Sequence, residues 1–542
     1  MKIVTVAQMV AMEQATDAAG FSYEQMMAAA GRALAAATAE TIAGQGPLTA
    51  PILFLIGPGN NGGDGLVACA HLQGLGAPAR PYIWKRKREG DPLLEAVKNV
   101  AWAEQDSDYV KLVEMVEHAG VIVDALLGTG ATRPIGGDLA DLLRAVHDAL
   151  ETRHRAQPGL FDPARPTAPA RPLVIACDCP SGLNCDTGGL DPLALSADQT
   201  VTFALPKAGH FLQPGASACG QLTIADIGID RRLAPTDAPD LLTPAEVAAL
   251  LPARPAAGHK GTFGTALIVA GSRNYPGAAA IACQSAYRAG AGLVRLAATA
   301  PVGQLVADHL PEAVHSPLPS HPLADDEQAA AALSPAALPP LRHLLPAADA
   351  LLVGPGLGAR PETFAFVRRL LLAEAGNPPE LPPLLADADA LNALADQPDG
   401  PALLPPGSIL TPHPGEMARL TGLSTKEINA NRWQVARRFA AAWGQIVVLK
   451  GAFTAVAHPD GALAISPFAD AALATAGSGD ALAGAIVGLL AQGLDTWAAA
   501  RAGVYLHALA GRLAAQSLGP TLLVSDIAHH LTPAWAQMQR LV

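Results

Sequence analysis

Short unbroken apolar runs, each ending in a loop of glycines, acids and amides and followed by a helical segment, constrain this fold most. In the first half they are PILFLIG (51–57), GVIVDALLGTG (120–130), PLVIACDCPSGLN (172–184) and QTVTFALPKAG (199–209). In the second half they are GTALIVAGS (264–272), DALLVGPGLG (349–358), PPLLADADALN (382–392), GSILTPHPGE (407–416) and QIVVLKGAF (445–453). Runs without polar alternation are strands buried on both faces, and intervening helices make them parallel. The fold class is therefore α/β, with two doubly wound domains. In such sheets ligands lie beyond the carboxyl ends of the strands, which is where these polar loops fall.

Three stretches interrupt the pattern. Residues 153–171 are proline-rich and read as a surface insertion, because the strand pattern resumes at once. Residues 230–255 separate two patterns that each start afresh, which places domains at 1–235 and 236–542. Within that joint Thr243 and Pro244 predict a capped helix over Pro244–Leu251. Residues 316–346, rich in proline and alanine, read as a surface excursion.

A net charge of -12 argues against a protein that coats nucleic-acid phosphates. Six cysteines in 542 residues are too few for a disulfide scaffold. Cys177-x-Cys179 lacks a second ligand pair, so buried thiols in a reduced compartment are expected. No signal-peptide pattern and no apolar run of about 20 residues is present. A cytoplasmic protein is expected, with no membrane or nucleic-acid partner, acting on small molecules as a homo-oligomer.

The chemistry concentrates in the loops. GPGNNGGDG (57–65) has five glycines in nine residues, which lets backbone amides face an anion ahead of a helix expected from Leu66. Asp124 ends its strand placed to hold a cation or a ribose, Asp178 is placed like a catalytic carboxylate, Ser181 offers a hydroxyl and a carbonyl, and such oxygen-rich loops suit a hard cation. Lys207 stands beside a loop glycine, as a site residue or a solvated one. In AGSGD (476–480), amides at a helix start face a transferring phosphoryl group, and Asp480 is placed to take a proton from a hydroxyl. Lys450, Gly451 and Thr454 combine a cation, a flexible turn and a hydroxyl. His413 and Glu416 stand at i and i+3 without a third zinc ligand, so a substrate-facing histidine is the better reading.

GPGNNGGDG, VDALLGTG, DCPSGLNCDTG and TFALPKAG, spanning about 50–215, closely resemble the NAD(P)H-hydrate epimerase family. The resemblance implies a Rossmann-like domain in which Asn60, Asn61, Gly62, Gly63 and Asp64 bind substrate. The loop Gly128–Thr129–Gly130 onward to Gly136 would cover its phosphate or ribose. Asn61, Asp124 and Ser181 would hold a potassium ion, and Asp178 would bind substrate as the leading acid/base.

HKGTFGTALIVAGSRNYPGAAA, VGPGLG, DADALN, TPHPGEMARL, LKGAFT and TAGSGDALAG, about 258–490, resemble the ADP-dependent NAD(P)H-hydrate dehydratases of the ribokinase-like superfamily. Here Lys450, Gly451, Ala452, Phe453, Thr454 and Gly479 would line the adenine nucleotide. Ala278 (or Ala279), Gly356 (or Gly358), His413 and Asp480 would line the hydrated dinucleotide. ADP would be co-substrate and magnesium the metal. The implied activity is cofactor repair: epimerisation of R- and S-NAD(P)H hydrate, then dehydration of the S epimer with release of AMP and phosphate. The rival is a small-alcohol or vitamin-precursor kinase carrying a non-catalytic N-terminal binding module.

Overall fold

The computed structural model describes residues 1–43, 51–155, 171–320, 332–372 and 380–541. Most of the 153–171 insertion and part of the 316–346 excursion lie outside these residues. By contacts the chain divides into Lys2–Ala238 and Pro239–Val542, the second also holding Met1. Among the described residues no helix is long and apolar enough to cross a membrane.

The first unit is built on β1 (Ile52–Ile56), β2 (Ala79–Ile83), β3 (Ala101–Trp102), β4 (Val121–Ala125), β5 (Leu173–Cys177), β6 (Gln199–Phe203) and β7 (Gln221–Ala225). Their order is β3-β2-β1-β4-β5-β6-β7, every pairing parallel. β1 and β4 are buried throughout, as unbroken apolar runs require. The order reverses between β1 and β4, so the loops after those strands flank a crevice.

The second unit begins with β8 (Asp240–Leu241), then β9 (Thr265–Val269), β10 (Leu293–Thr299), β11 (Val314–Leu318), β12 (Ala350–Val353), β13 (Leu384–Ala386), β14 (Ile409–Leu410) and β15 (Ile446–Leu449). β16 (Ala455–Ala457) and β17 (Leu463–Ile465) follow. The order is β11-β10-β9-β12-β13-β14-β15-β16-β17-β8, reversing between β9 and β12. The sheet is not parallel to its edge: β16 runs antiparallel to β15 and β17 antiparallel to β16. A turn over Gly461 joins the last pair, and such hairpins carry no periodic signal long enough to stand out.

The helix Ser478–Ala491 packs on helix Pro276–Arg288 so closely that a Cβ on Gly484 would lie 2.3 Å from the Ala282 carbonyl oxygen. Thr243 caps the helix Pro244–Leu250 through a reciprocal bond with Glu246.

Candidate functional site

In the first unit the glycine-rich segment is not the open loop expected before Leu66. The helix starts at Asn60 and runs to Gly74, so Gly62, Gly63 and Gly65 lie in its first turns. These glycines serve close packing. A Cβ on Gly57 would sit 1.8 Å from the Leu126 carbonyl oxygen, and one on Gly62 would sit 2.0 Å from the Gly57 oxygen. The helix N-terminus is thereby pressed against the ends of β1 and β4, while Asn60 stays exposed and Asp64 half-buried.

Asn61 bridges the crevice: its Nδ2 donates to the Leu127 carbonyl at 2.8 Å. Its own carbonyl accepts from Cys177 Sγ at 3.8 Å, tying the helix start to the end of β5. Asp124 is fully buried. Ser181 Oγ donates to Asp124 Oδ1 at 2.6 Å, the Ser181 amide to Oδ2 at 2.8 Å, and the Leu126 amide to Oδ1 at 3.3 Å. The Leu127 amide donates to Ser181 Oγ at 2.9 Å. Asn61, Asp124 and Ser181 therefore meet around Leu126–Leu127. Burial raises the Asp124 pKa against the pull of its Ser181 and Leu126 hydrogen bonds. Gly128 comes close to Asn61, whose Cβ would be 3.1 Å from a Cβ there, while Thr129 is half-buried and Gly130 is open.

Asp178 follows β5 with φ 63, a left-handed conformation. Its Oδ1 accepts from Lys207 Nζ at 2.6 Å and Thr202 Oγ1 at 2.8 Å. Lys207 is 1 % exposed, so it is buried against Asp178 and not solvated. His210 Nε2 lies 3.1 Å from the Asp178 carbonyl oxygen. Burial pushes the Asp178 carboxyl up, but the Lys207 charge and hydrogen bond outweigh it and the net shift is downward. Asp64 moves the opposite way, well above the ordinary range. Its causes are burial, then the charges of Asp178 and Glu13, opposed by Arg86 and Lys207. Thr202, Glu13 and Arg86 carry no signal in the sequence for these roles, and Lys207 stands out there without its pairing to Asp178. Glu13 comes from the helix Val6–Ala18, far off in sequence, and no local pattern announces it.

In the second unit the loops after β9 and β12 meet at the Gly271 amide, which donates to the Pro355 carbonyl at 2.8 Å. Gly356 has φ 62, and a Cβ there would lie 2.8 Å from the Ala278 and Tyr275 Cβ atoms. Ala278 is half-buried beside it, whereas Ala279 is 0 % exposed and belongs to the core. Gly358 donates its amide to Asp389 Oδ2 at 2.8 Å.

His413 caps the helix Pro414–Thr421. Its Nδ1 accepts from the amides of Gly415 at 2.9 Å and Glu416 at 3.2 Å, which puts the ring proton on Nε2. Burial, aided by Lys450 and Arg419 against Glu416, lowers its pKa. Lys450 Nζ lies 2.8 Å from Asp387 Oδ1 and 3.6 Å from Glu416 Oε2. Thr411 Oγ1 also donates to Asp387 Oδ1, at 2.7 Å. A Cβ on Gly479 would meet Lys450 Nζ at 3.2 Å, so glycine there admits the ammonium to the helix start.

Asp480 occupies the first turn of Ser478–Ala491, after the left-handed Gly477. Burial, then the charge of Asp387, against Lys450, pushes its pKa up to about 7. A carboxylate poised there is suited to proton transfer at neutral pH. The turn after β15 is closed by Thr454 Oγ1, which donates to the Gly451 carbonyl at 2.9 Å. Ala452 is exposed and Phe453 is left-handed with φ 52. Asp387 and Glu416, which hold Lys450, were not singled out for this from the sequence. Asp387 sits in the DADALN motif, which was the available signal.

Two families match the chain: YjeF-related protein N-terminus over residues 23–209, and NAD(P)H-hydrate dehydratase over residues 266–533. The bifunctional NAD(P)H-hydrate repair enzyme Nnr of Moorella thermoacetica is 38% identical over 492 residues, covering 88% of this chain and 85% of that protein. Its counterpart in Thermofilum pendens is 35% identical over 536 residues, covering 97% and 94%. The solved ADP/ATP-dependent NAD(P)H-hydrate dehydratase of Bacillus subtilis is 31% identical, covers 55% of this chain and 98% of that one, and has a TM-score of 0.45.

Proposed function

The chain belongs to the bifunctional NAD(P)H-hydrate repair enzymes, whose activities are epimerisation and dehydration of hydrated NAD(P)H, and we propose that Lys2–Ala238 carries the first and Pro239–Val542 the second. The observation that carries the dehydratase assignment is Asp480, a carboxyl with its pKa near 7 beside Lys450 at the start of a buried helix.

In the second unit Asp480 takes the proton from the ring hydroxyl of the S epimer as that oxygen attacks the terminal phosphorus of ADP. AMP leaves with the bridging oxygen. The phosphate then departs from the ring carbon with the C–O bonding pair and takes up the proton that the neighbouring ring C–H gives up, and the double bond returns. Phosphorylation is needed because hydroxide is a poor leaving group near neutral pH. Amides at the helix start face the charge of the transferred group. Ala278, Gly356 and His413 line the hydrated dinucleotide, and Lys450–Thr454 with Gly479 line the nucleotide. Magnesium would enter with the phosphates, for which one or two carboxylates suffice.

In the first unit Asp178, held ionised by Lys207, serves as base. Asp64, whose carboxyl holds its proton more tightly, serves as acid. Two carboxyls pushed apart in pKa are the usual mark of such a division. Asn60 to Gly63 and the loop Gly128–Gly130 receive the rest of the substrate. A potassium ion suits Asp124: the carboxylate is fully buried and bonded only to uncharged groups, with oxygen donors on Asn61 and Ser181 nearby. When bound, the ion supplies the positive charge that Asp124 lacks.

The test is incubation of mixed hydrate epimers with the full chain, ADP and magnesium, followed by chromatography. Both epimers are expected to disappear, with NAD(P)H, AMP and phosphate formed in equal amounts. A stable phosphorylated product would indicate a kinase instead. An untouched R epimer would remove the epimerase assignment.

A further inference from the structure

The helix Arg432–Trp443 starts under the turn that follows β15. The Arg432 guanidinium lies directly beneath Gly451. Its Nη2 donates to the carbonyls of Leu449 and Lys450, each at 2.9 Å, and its Nη1 donates to Asn429 Oδ1 at 3.2 Å. A Cβ on Gly451 would fall 2.8 Å from Nη2, so glycine at φ 147 is what lets the cation and the turn touch.

Among the described residues no carboxylate pairs with this guanidinium. Burial lowers its pKa to about 10, and no neighbouring charge contributes. A charge withdrawn from water is ordinarily matched by a counter-ion. Here two carbonyls and an amide accept its hydrogen bonds, and all three are neutral. The other cation of the turn, Lys450, is already matched by Asp387 and Glu416 and borders Asp480.

We infer that Arg432 is a positioning residue whose unmatched charge, acting through the Lys450–Thr454 turn, selects for the phosphate chain of the adenine nucleotide. The inference rests on reading that turn as the nucleotide site. The grip on two carbonyls fixes the backbone from Leu449 to Gly451. The charge lies next to Gly451, a position that bears no side chain. Bound phosphates would supply, across the turn, the negative charge that this guanidinium lacks.

The experiment uses the full chain and measures Kd for ADP, adenosine and the hydrated dinucleotide by calorimetry. Arg432→Met keeps the bulk and removes the charge. Arg432→Lys keeps the charge and loses the double grip. Arg432→Met is expected to weaken ADP about 10- to 100-fold, as loss of a charge-assisted interaction does. It should leave adenosine and the hydrate unchanged. Arg432→Lys should recover most of the preference for ADP over adenosine. Unchanged ADP binding in Arg432→Met, or equal losses for ADP and adenosine, would overturn the inference. If Arg432→Met does not fold, Arg432→Lys decides: the preference kept supports the inference, and the preference lost in a folded protein ends it. Should the unsubstituted chain bind no ADP, the nucleotide reading of the turn falls first and the inference with it.

Discussion

Lys207 Nζ and Asp178 Oδ1 meet at 2.6 Å, with 1 % and 15 % of their side chains exposed. Thr202 Oγ1 lies within hydrogen-bond distance of both, 2.9 Å from the ammonium and 2.8 Å from the carboxylate. The left-handed backbone at Asp178 aims the carboxylate into this group, a conformation that costs roughly 1–3 kcal/mol for a residue with a side chain. The pair therefore favours the charged carboxylate in a place where burial alone would raise its pKa.

Lys207→Met should leave that carboxylate without its partner and destabilise the first unit by about 3–5 kcal/mol near neutral pH. In the intact pair the folded pKa of Asp178 lies below its unfolded value. The stability it contributes is thus present above the unfolded pKa and lost as pH falls through the folded one. In the variant, burial raises the pKa and acid relieves the strain. The deficit should shrink on acidification, read by denaturant unfolding across a pH series. A deficit that is flat with pH would deny the pair this role.

Asp480→Asn should lower kcat for dehydration by about 10²–10⁴-fold. ADP affinity and epimerase turnover should change little. The base must be ionised to act, so wild-type dehydration should fall as pH drops through about 7, the value to which the carboxyl is pushed. Rapid dehydration by the asparagine variant would place the base elsewhere.

Potassium should raise the melting temperature of the first unit more than choline at equal ionic strength. A ligand at a hundredfold excess over Kd adds about 2.7 kcal/mol. Asp124→Asn should abolish the difference between the two salts, because it removes the one charge in the set Asn61, Asp124 and Ser181. A potassium effect surviving in that variant would move the ion to another place.

Two glycines three residues apart should behave oppositely. Gly62→Ala forces a Cβ to 2.0 Å from the Gly57 carbonyl oxygen, whereas nothing lies within 4 Å of a Cβ on Gly59. The first change should cost more than about 3 kcal/mol and abolish epimerisation. The second should cost about 1 kcal/mol or less. Comparable losses in both would mean that the segment needs glycine for freedom and not for contact.

Strands buried on both faces were readable from sequence, as β1, β4 and β15 show, because an unbroken apolar run has few other uses. β2 contains Arg80 and Pro81, and β7 is only half-buried, so neither declared itself. The start of the helix at Asn60 was misplaced for a physical reason. Glycine signals both a free backbone and a close approach, and only the neighbouring chain distinguishes them. At the sites, residue types that follow strands were recognisable, but their pairings were not. Asp387 and Lys450 are 63 positions apart and meet only because β13, β14 and β15 lie side by side. Arg432 had no motif around it at all.

The contacts at Gly57 and Gly354 bear on how this enzyme could be redirected. A Cβ on either would come within 1.8 Å of a backbone oxygen, of Leu126 in one case and Asp387 in the other. At both seams main chain touches main chain, and no side chain is available there to be exchanged. Laboratory evolution toward a different substrate should therefore find these seams closed to variation. Accepted changes should gather at outward positions such as Asn60, Tyr275 and Ala452. A deep mutational scan would show intolerance of every side chain larger than hydrogen at Gly57 and at Gly354.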